Sequence, residues 1–360
     1  MVGRLHTSSA SNHQYPNPPS SNGSFTSLDL HVLSRIASSG PQQSSATAAV
    51  PLTLAEAPPD VCSTSSPTHP GLDYQAVLKL LQTPTQPGQT AVLKEALDQF
   101  LSASRHSNPL SLVSLLAQRL AEGELWDELQ RLLDTIPSGT SQGCLLPGAT
   151  CSWILPTAAR AQRYRLLSPL CSCLDDASPD QVVEALAVLL QPTTASNLTL
   201  RKAHFMNIRS HAEAAIAQSE RAISSLPGNS SRHRALALAK CAAAVVDGFT
   251  AQEVLIHPLL AMPLDVPALQ GRLAELNNYH VDRLLSYLAK WMDKYTQELG
   301  DVAAQIPLPV ELLFPTLTQV LEWVRLLLDS HLARLLMAQQ TLPCLGQITS
   351  CVNLQVCQIS

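Results

Sequence analysis

Two segments near the C-terminal end of the sequence show the clearest pattern of apolar and polar positions. In both, apolar residues recur every three or four positions, the spacing of one face of an α-helix. The stripes are Val281, Leu284, Leu285, Leu288, Trp291, Met292 and Tyr295, then Leu317, Val320, Leu321, Val324, Leu327, Leu328, His331 and Leu335. The Pro-rich stretch 305–315 joins the two segments, so we predict antiparallel helices packed stripe against stripe. Trp291 lies within its stripe, whereas Trp323 lies toward the edge of the other and is expected to be less buried.

Shorter helices are predicted in the preceding part of the chain. From residue 71 onward, low-complexity sequence gives way to apolar residues at helical spacing. The apolar spacing places the helices near 89–104, 110–120 and 125–133. Only residues 122–124 separate the last two, which predicts a tight helical hairpin.

Pro, Gly and Ser positions divide the middle of the chain. Residues 137–156 read as a loop, and Pro169 is expected to break a helix over 158–173. Ser178 precedes Pro179, a combination typical of a helix start with Ser as the cap. Ala-rich helices are predicted over 200–225 and 231–247.

These elements predict an all-α fold. The chain is expected to form either an irregular helical bundle or a solenoid-like array of helical hairpins, although no fixed repeat period is visible. The helical domain spans 71–337, and a break near 137–156 would divide it into two halves.

Both ends of the chain differ from this domain. Residues 1–70 are low-complexity and predicted to be disordered, with one short amphipathic helix near 27–38 that either docks on the domain or recognises a partner. Residues 338–360 contain no charged side chain. In that tail Val352, Leu354 and Val356 alternate with polar residues, which favours a strand. The tail is interpreted either as a small docked strand or as a terminus produced by altered splicing or a gene-model error.

Composition narrows the class of protein. Leu and Ala dominate the hydrophobic 46 % of residues, aromatic residues are 4 %, and the net charge is −5, which is unlike a strongly basic nucleic-acid binder. No signal peptide or long apolar run is apparent, so we expect an intracellular chain without membrane contact. The nine cysteines are irregularly spaced and are expected to be reduced thiols, not a zinc site.

The sequence carries no motif that predicts catalysis. Phosphate-binding Gly-rich loops and HExxH are absent, and the GxSxG string at 139–143 lacks the strand–turn–helix context of a hydrolase. His204 and His211 share one helix face and are expected to be exposed. We therefore expect a non-catalytic protein without cofactor, metal or small-molecule substrate.

Two sets of residues are candidates for binding. Partner-binding helix faces are predicted at Leu284, Leu288, Trp291, Tyr295, Val320, Trp323, Val324 and Leu328. A basic patch is predicted at Arg160, Arg163, Arg165, Arg232 and Arg234. This patch could meet RNA phosphates, but few aromatic residues accompany it, and a solvated helix face is the favoured interpretation.

A family resemblance covers 278–337. The strings YLAKWMDKY at 287–295 and QVLEWVRLLLDSH at 319–331 resemble the C-terminal helical region of the nucleolar protein 11 family. The resemblance implies a nuclear, nucleolar subunit of the small-subunit processome, with roles in ribosomal RNA transcription and early pre-ribosomal RNA processing. Family members carry an N-terminal β-propeller that is not visible here, so the resemblance implies a chain that starts in the following linker.

Two functions follow from these observations. The first is a scaffold subunit in ribosome biogenesis that binds other processome proteins through its helical faces. The alternative is a helical-repeat adaptor in trafficking or another multiprotein assembly, which the composition permits equally well.

Overall fold

The computed structural model describes residues 90–103, 110–136, 146–192, 194–225, 228–263, 265–299 and 308–359. Almost all of these residues are helical, which confirms the all-α prediction. The predictions for 1–70, including the short helix near 27–38, lie outside the described residues.

The first described helices are those that the apolar spacing predicts. They are α1 (Thr90–Ala103), α2 (Leu110–Glu122) and α3 (Trp126–Thr135). The link between α2 and α3 turns tightly because Glu124 adopts a positive φ of 55°, and the Leu125 amide donates to the Leu120 carbonyl at 2.8 Å. The two helices pack against each other as the predicted hairpin.

The region predicted as a loop at 137–156 contains regular structure in its described part. It holds β1 (Leu146–Pro147), α4 (Gly148–Cys151) and the start of α5 (Ile154–Arg160). The loop prediction was therefore wrong from residue 146 onward, because the buried side chains of Ile154 and Leu155 outweigh the Pro and Gly signals. Gly148 is required here, since a Cβ atom would overlap the carbonyl oxygens of Asp175 and Asp176.

Pro169 does not break a helix. A 3₁₀ turn (Tyr164–Leu166) leads directly into α6 (Leu167–Cys173), and Pro169 lies in the first turn of α6, where an amide donor has no intrahelical partner. The break falls instead at Gln162, which has a positive φ of 59°. β2 (Leu174–Asp175) follows and pairs in parallel with β1.

Three longer helices follow. They are α7 (Pro179–Leu190), α8 (Ala195–Ser225) and α9 (Asn229–Val246). Ser178 is the N-cap residue of α7 with Pro179 next to it, as predicted, although its side chain makes no capping hydrogen bond. α8 and α9 pack closely and are joined by a short link, so they form an antiparallel hairpin.

The C-terminal part surrounds one central helix. It contains α10 (Ala251–Val254), α11 (His257–Leu260), α12 (Val266–Leu273), α13 (Asn278–Lys294), a π-helical turn (Tyr295–Leu299), a 3₁₀ turn (Val310–Leu312), α14 (Leu317–Met337) and α15 (Leu342–Ile359). α13 packs against α7, α14 and α15. α13 and α14 are antiparallel, because Tyr295 bonds to the Pro315 carbonyl at one end and Arg334 bonds to Asp282 at the other.

The strand prediction for the uncharged tail was wrong. The tail forms α15, which packs on α13 and buries Ile348 and Cys351. Those two positions are three residues apart, so one face of a helix is covered while Leu354 remains exposed. Tertiary packing therefore overrides the short alternation of apolar residues in this segment.

Candidate functional site

The residues predicted as partner-binding helix faces lie mostly inside the protein. Leu284, Leu288, Trp291, Tyr295, Val320, Trp323 and Val324 are buried, and Leu328 is half-buried. This placement corrects the prediction, because buried side chains present no surface to a partner. The amphipathic pattern of α13 and α14 reflects their contact with each other and with neighbouring helices.

Trp323 was also placed incorrectly by the helical pattern. It is only 2 % exposed, and its indole nitrogen donates to the Leu260 carbonyl at 3.3 Å. α11 covers the edge of the stripe, so both Trp291 and Trp323 belong to the core.

A group of rings fixes α13 in place, and we call it the aromatic core cluster. It consists of Phe249, His257, Tyr287, Trp291, Tyr295 and Phe314. His257 Nε2 lies 2.9 Å from the Val245 carbonyl, so it must donate, and Nδ1 then accepts from the Tyr287 hydroxyl at 2.7 Å. Burial, together with the smaller effect of the Lys294 charge, lowers the pKa of His257 to about 3 despite the bond to Val245.

The accessible apolar side chains of α14 lie on another side of the helix. Leu332, Leu336 and Met337 are exposed, and Met337 has 86 % of its surface open to solvent. The spacing of Leu332 and Leu336 follows one helical turn, which is a signal that the sequence contains. The prediction of partner-binding faces missed this spacing because Leu332 and Leu336 lie outside the main apolar stripe.

The predicted basic patch is divided in the structure. Arg160 forms an ion pair with Glu184, whereas Arg163 immediately precedes the 3₁₀ turn before α6 and Arg165 lies within it. Arg232 and Arg234 lie in the first turns of α9, toward the far end of the α8–α9 hairpin. At 1.5 Å per helical residue, these two arginines are roughly 25–30 Å from the part of α8 that faces the 3₁₀ turn. The five arginines therefore do not form one surface.

Arg163 and Arg165 instead border a cleft of about 450 Å³, which we call the arginine cleft. The lining of the cleft includes Asp127, Gln130, Arg163, Arg165, Leu200 and His204. They come from α3, from the turn before α6 and from the start of α8. Sequence reasoning considered the arginines and His204, but it missed Gln130, Leu200 and the cleft itself.

Local structure explains how the arginines reach this position. The positive φ of Gln162 reverses the chain after α5, and the Arg163 amide donates to the Ala158 carbonyl at 2.9 Å. Tyr164 is buried between the arginines, and its hydroxyl accepts from Arg201 Nε at 3.4 Å. Because Tyr164 anchors the turn, Arg163 and Arg165 remain exposed on either side of it.

His204 is buried, contrary to the prediction that it is exposed. Its surface is 8 % accessible, and its ring lies 6.2 Å from that of Tyr164. Burial lowers the pKa of His204 to about 4, and the positive charge of Arg165 adds to this effect. The imidazole is therefore neutral at physiological pH.

The polar groups of the cleft are incompletely satisfied. His204 Nδ1 and Gln130 Oε1 are buried and have no hydrogen-bond partner among the described residues. The Gln130 amide nitrogen donates to Asp134 at 2.7 Å, which fixes the oxygen on the other side. A buried polar atom without a partner is costly, and both atoms belong to residues that line the arginine cleft.

Within the described ranges, no group of three or more His, Cys, Asp and Glu side chains is placed to hold a metal ion. Among the helices that can be described, none has the length and apolarity to cross a membrane. The thiols of Cys151, Cys171, Cys173 and Cys241 are buried and form no disulfide with another described cysteine.

The geometry defines an all-α protein with a buried central helix and surface clefts between helices. Residues 173–358 match the family model of the nucleolar protein 11 C-terminal domain, which is more than half of the 360 residues. The chain therefore belongs to the nucleolar protein 11 family, and the family consists of nucleolar ribosome-biogenesis proteins. The match includes α15, the helix formed by the uncharged tail. A comparison with curated proteins found no match.

Proposed function

We propose that the chain is a non-catalytic scaffold subunit in ribosome biogenesis, which supports ribosomal RNA transcription and early pre-ribosomal RNA processing within the small-subunit processome. The family match over 173–358 is the observation that carries this proposal. In this proposal, the chain resides in the nucleus and nucleolus and binds other processome proteins through helical surfaces. Buried stripes hold the scaffold together, while side chains that remain exposed make the contacts.

The accessible apolar side of α14 is the helical surface best suited to such contacts. Leu332, Leu336 and Met337 place apolar area in water at one end of the helix. Clustered apolar area of this kind is typical of interaction surfaces. Binding through it is driven mainly by loss of apolar surface from water, so added salt should change the affinity little.

The experiment is affinity purification of the tagged chain from nuclear extract, followed by mass spectrometry. We expect processome proteins in the eluate. A Met337→Glu variant should lose them, because it introduces a charge into the apolar surface of α14. Met206→Glu is the matched control, since Met206 is also an exposed methionine but lies on α8.

Two outcomes would contradict the proposal. Recovery of coat or tether proteins in place of processome proteins would support the trafficking adaptor instead. Equal recovery of processome proteins with both methionine variants would remove the α14 surface from the proposal.

A further inference from the structure

The arginine cleft has charged groups that lack partners. Arg163 and Arg165 are exposed, and neither makes a side-chain ion pair or hydrogen bond within the described part of the chain. Most other surface arginines do, as Arg160 with Glu184 and Arg272 with Asp180 show. Two neighbouring guanidinium groups without a counter-charge favour an anionic ligand, and carboxylates match their fork-shaped donors.

The interior of the cleft requires more than an anion. Gln130 Oε1 can only accept a hydrogen bond, so its partner must supply an N–H or O–H donor. His204 Nδ1 either donates or accepts, depending on the tautomer of the neutral ring. Leu200 is 47 % exposed beside these groups and offers an apolar contact.

We propose that the arginine cleft binds a short acidic peptide segment of a partner protein, in which an Asp or Glu lies next to an apolar residue. The carboxylate meets Arg163 and Arg165, a backbone amide donates to Gln130, and the apolar side chain packs on Leu200. The proposal rests on the proposed scaffold function and identifies the chemistry of one partner contact.

An acidic peptide fits the cleft better than RNA does. The rings nearest the cleft, Trp126 and Tyr164, are 5 % and 4 % exposed, so they offer no platform on which bases could stack. Phosphate oxygens only accept hydrogen bonds and would leave Gln130 Oε1 unpaired, whereas a peptide supplies a carboxylate together with a backbone N–H donor. Arg232 and Arg234 are too distant to extend the cleft into a track for a phosphate backbone.

The test begins with selection from a phage-displayed random-peptide library on the purified 360-residue chain. We expect enrichment of peptides that combine Asp or Glu with Leu, Ile or Phe. The enriched peptides are then synthesised, labelled and titrated by fluorescence anisotropy. An amide version of each, with Asn and Gln in place of Asp and Glu, shows whether the carboxylates contribute.

Two matched double variants locate the site. Arg163→Gln with Arg165→Gln removes two positive charges from the cleft, and Arg232→Gln with Arg234→Gln removes two from α9. We expect the first pair to weaken acidic-peptide binding by about tenfold or more, since hydrogen bonds between charged groups are lost. The second pair should change it by less than about twofold, and both should keep the wild-type circular dichroism spectrum because the substituted arginines are exposed.

The proposal is overturned if no acidic peptide is enriched, or if the enriched peptides bind both double variants equally. Single-stranded oligouridine serves as the nucleic-acid probe. Oligouridine binding that is lost with the Arg163/Arg165 pair, without any acidic-peptide binding, would assign the cleft to RNA instead. These experiments use purified chain alone, so their failure is separable from failure of the co-purification experiment.

Discussion

Two buried histidines in this chain are held neutral by the same physical cause but have different surroundings. His257, in the aromatic core cluster, uses both ring nitrogens in hydrogen bonds to Tyr287 and Val245. His204, at the arginine cleft, has an Nδ1 atom without a partner among the described residues. The comparison teaches that burial alone does not distinguish a structural histidine from one at a binding site. The two histidines differ instead in how many of their ring nitrogens are hydrogen-bonded.

The largest expected effect concerns tryptophan packing in the two regions. Trp291→Ala removes a fully buried ring that stacks on Phe314 at 5.1 Å, and we expect it to lower the free energy of unfolding by about 3–5 kcal/mol. Trp126→Ala should cost less, about 2 kcal/mol, because the cleft lets solvent occupy part of the space. Urea titration of both variants measures the difference, and equal losses would contradict the distinction between core and cleft.

Replacement of the two histidines tests the comparison directly. His257→Ala leaves the Tyr287 hydroxyl and the Val245 carbonyl without their partner, so we expect a loss of about 3 kcal/mol in unfolding free energy. His204→Ala removes an atom that already lacks a partner and should cost less than about 1 kcal/mol. Chemical denaturation at neutral pH is the measurement, and a larger loss for His204→Ala would reverse the argument.

Acid should destabilise the chain through His257. Its pKa is lowered to about 3 by burial, whereas an unfolded histidine titrates near pH 6.5. The unfolded state therefore binds more protons below about pH 6.5, so stability is complete above that pH and falls as the pH decreases toward 3. Between pH 7 and pH 5 the loss from this residue is about 2 kcal/mol.

The matched variant for the pH effect is His257→Gln, which can still donate to Val245 and accept from Tyr287. The pH dependence of its urea midpoint should be shallower than that of the wild type. An unchanged slope would show that other groups account for acid destabilisation. His204→Gln should also flatten the slope, because burial lowers the pKa of His204 to about 4.

The smallest effect concerns cations at the edge of each region. Lys290, beside the aromatic core cluster, bonds to both carboxylate oxygens of Glu253 and to the Gly248 carbonyl. Lys290→Met should cost about 1 kcal/mol, and less at high salt. Arg165→Gln should leave stability unchanged within about 0.5 kcal/mol because Arg165 has no such partner in the described structure. Thermal melts at two salt concentrations would distinguish these outcomes.

The sequence predicted the helices well where packing follows a single stripe. α13 and α14 appear where the spacing places them, and Thr316 and Gln319 form a capping box that starts α14. Errors arose where a neighbour from elsewhere in the chain supplies the decisive contact. Leu260 covers Trp323, and the face of α15 that contains Ile348 is selected by its contact with α13.

The candidate site was less predictable than the fold. The arginine cleft combines residues near positions 127–130, 163–165 and 200–204, and nothing in their local spacing indicates that these segments meet. The arginines were recognised as charged groups, but their grouping with Arg232 and Arg234 ignored the length of the α8–α9 hairpin. Gln130 carries no sequence signal at all, because its significance depends on an oxygen atom left without a donor.

The buried thiols give the chain an internal reporter of local unfolding. Burial raises the pKa of Cys171 on α6 and that of Cys241 on α9, the latter to about 11. Because thiolate is the reactive form, an alkylating reagent at neutral pH modifies these residues only when the surrounding helices open. Labelling kinetics at the two positions therefore measure separate opening free energies for the body of the domain and for the α8–α9 hairpin.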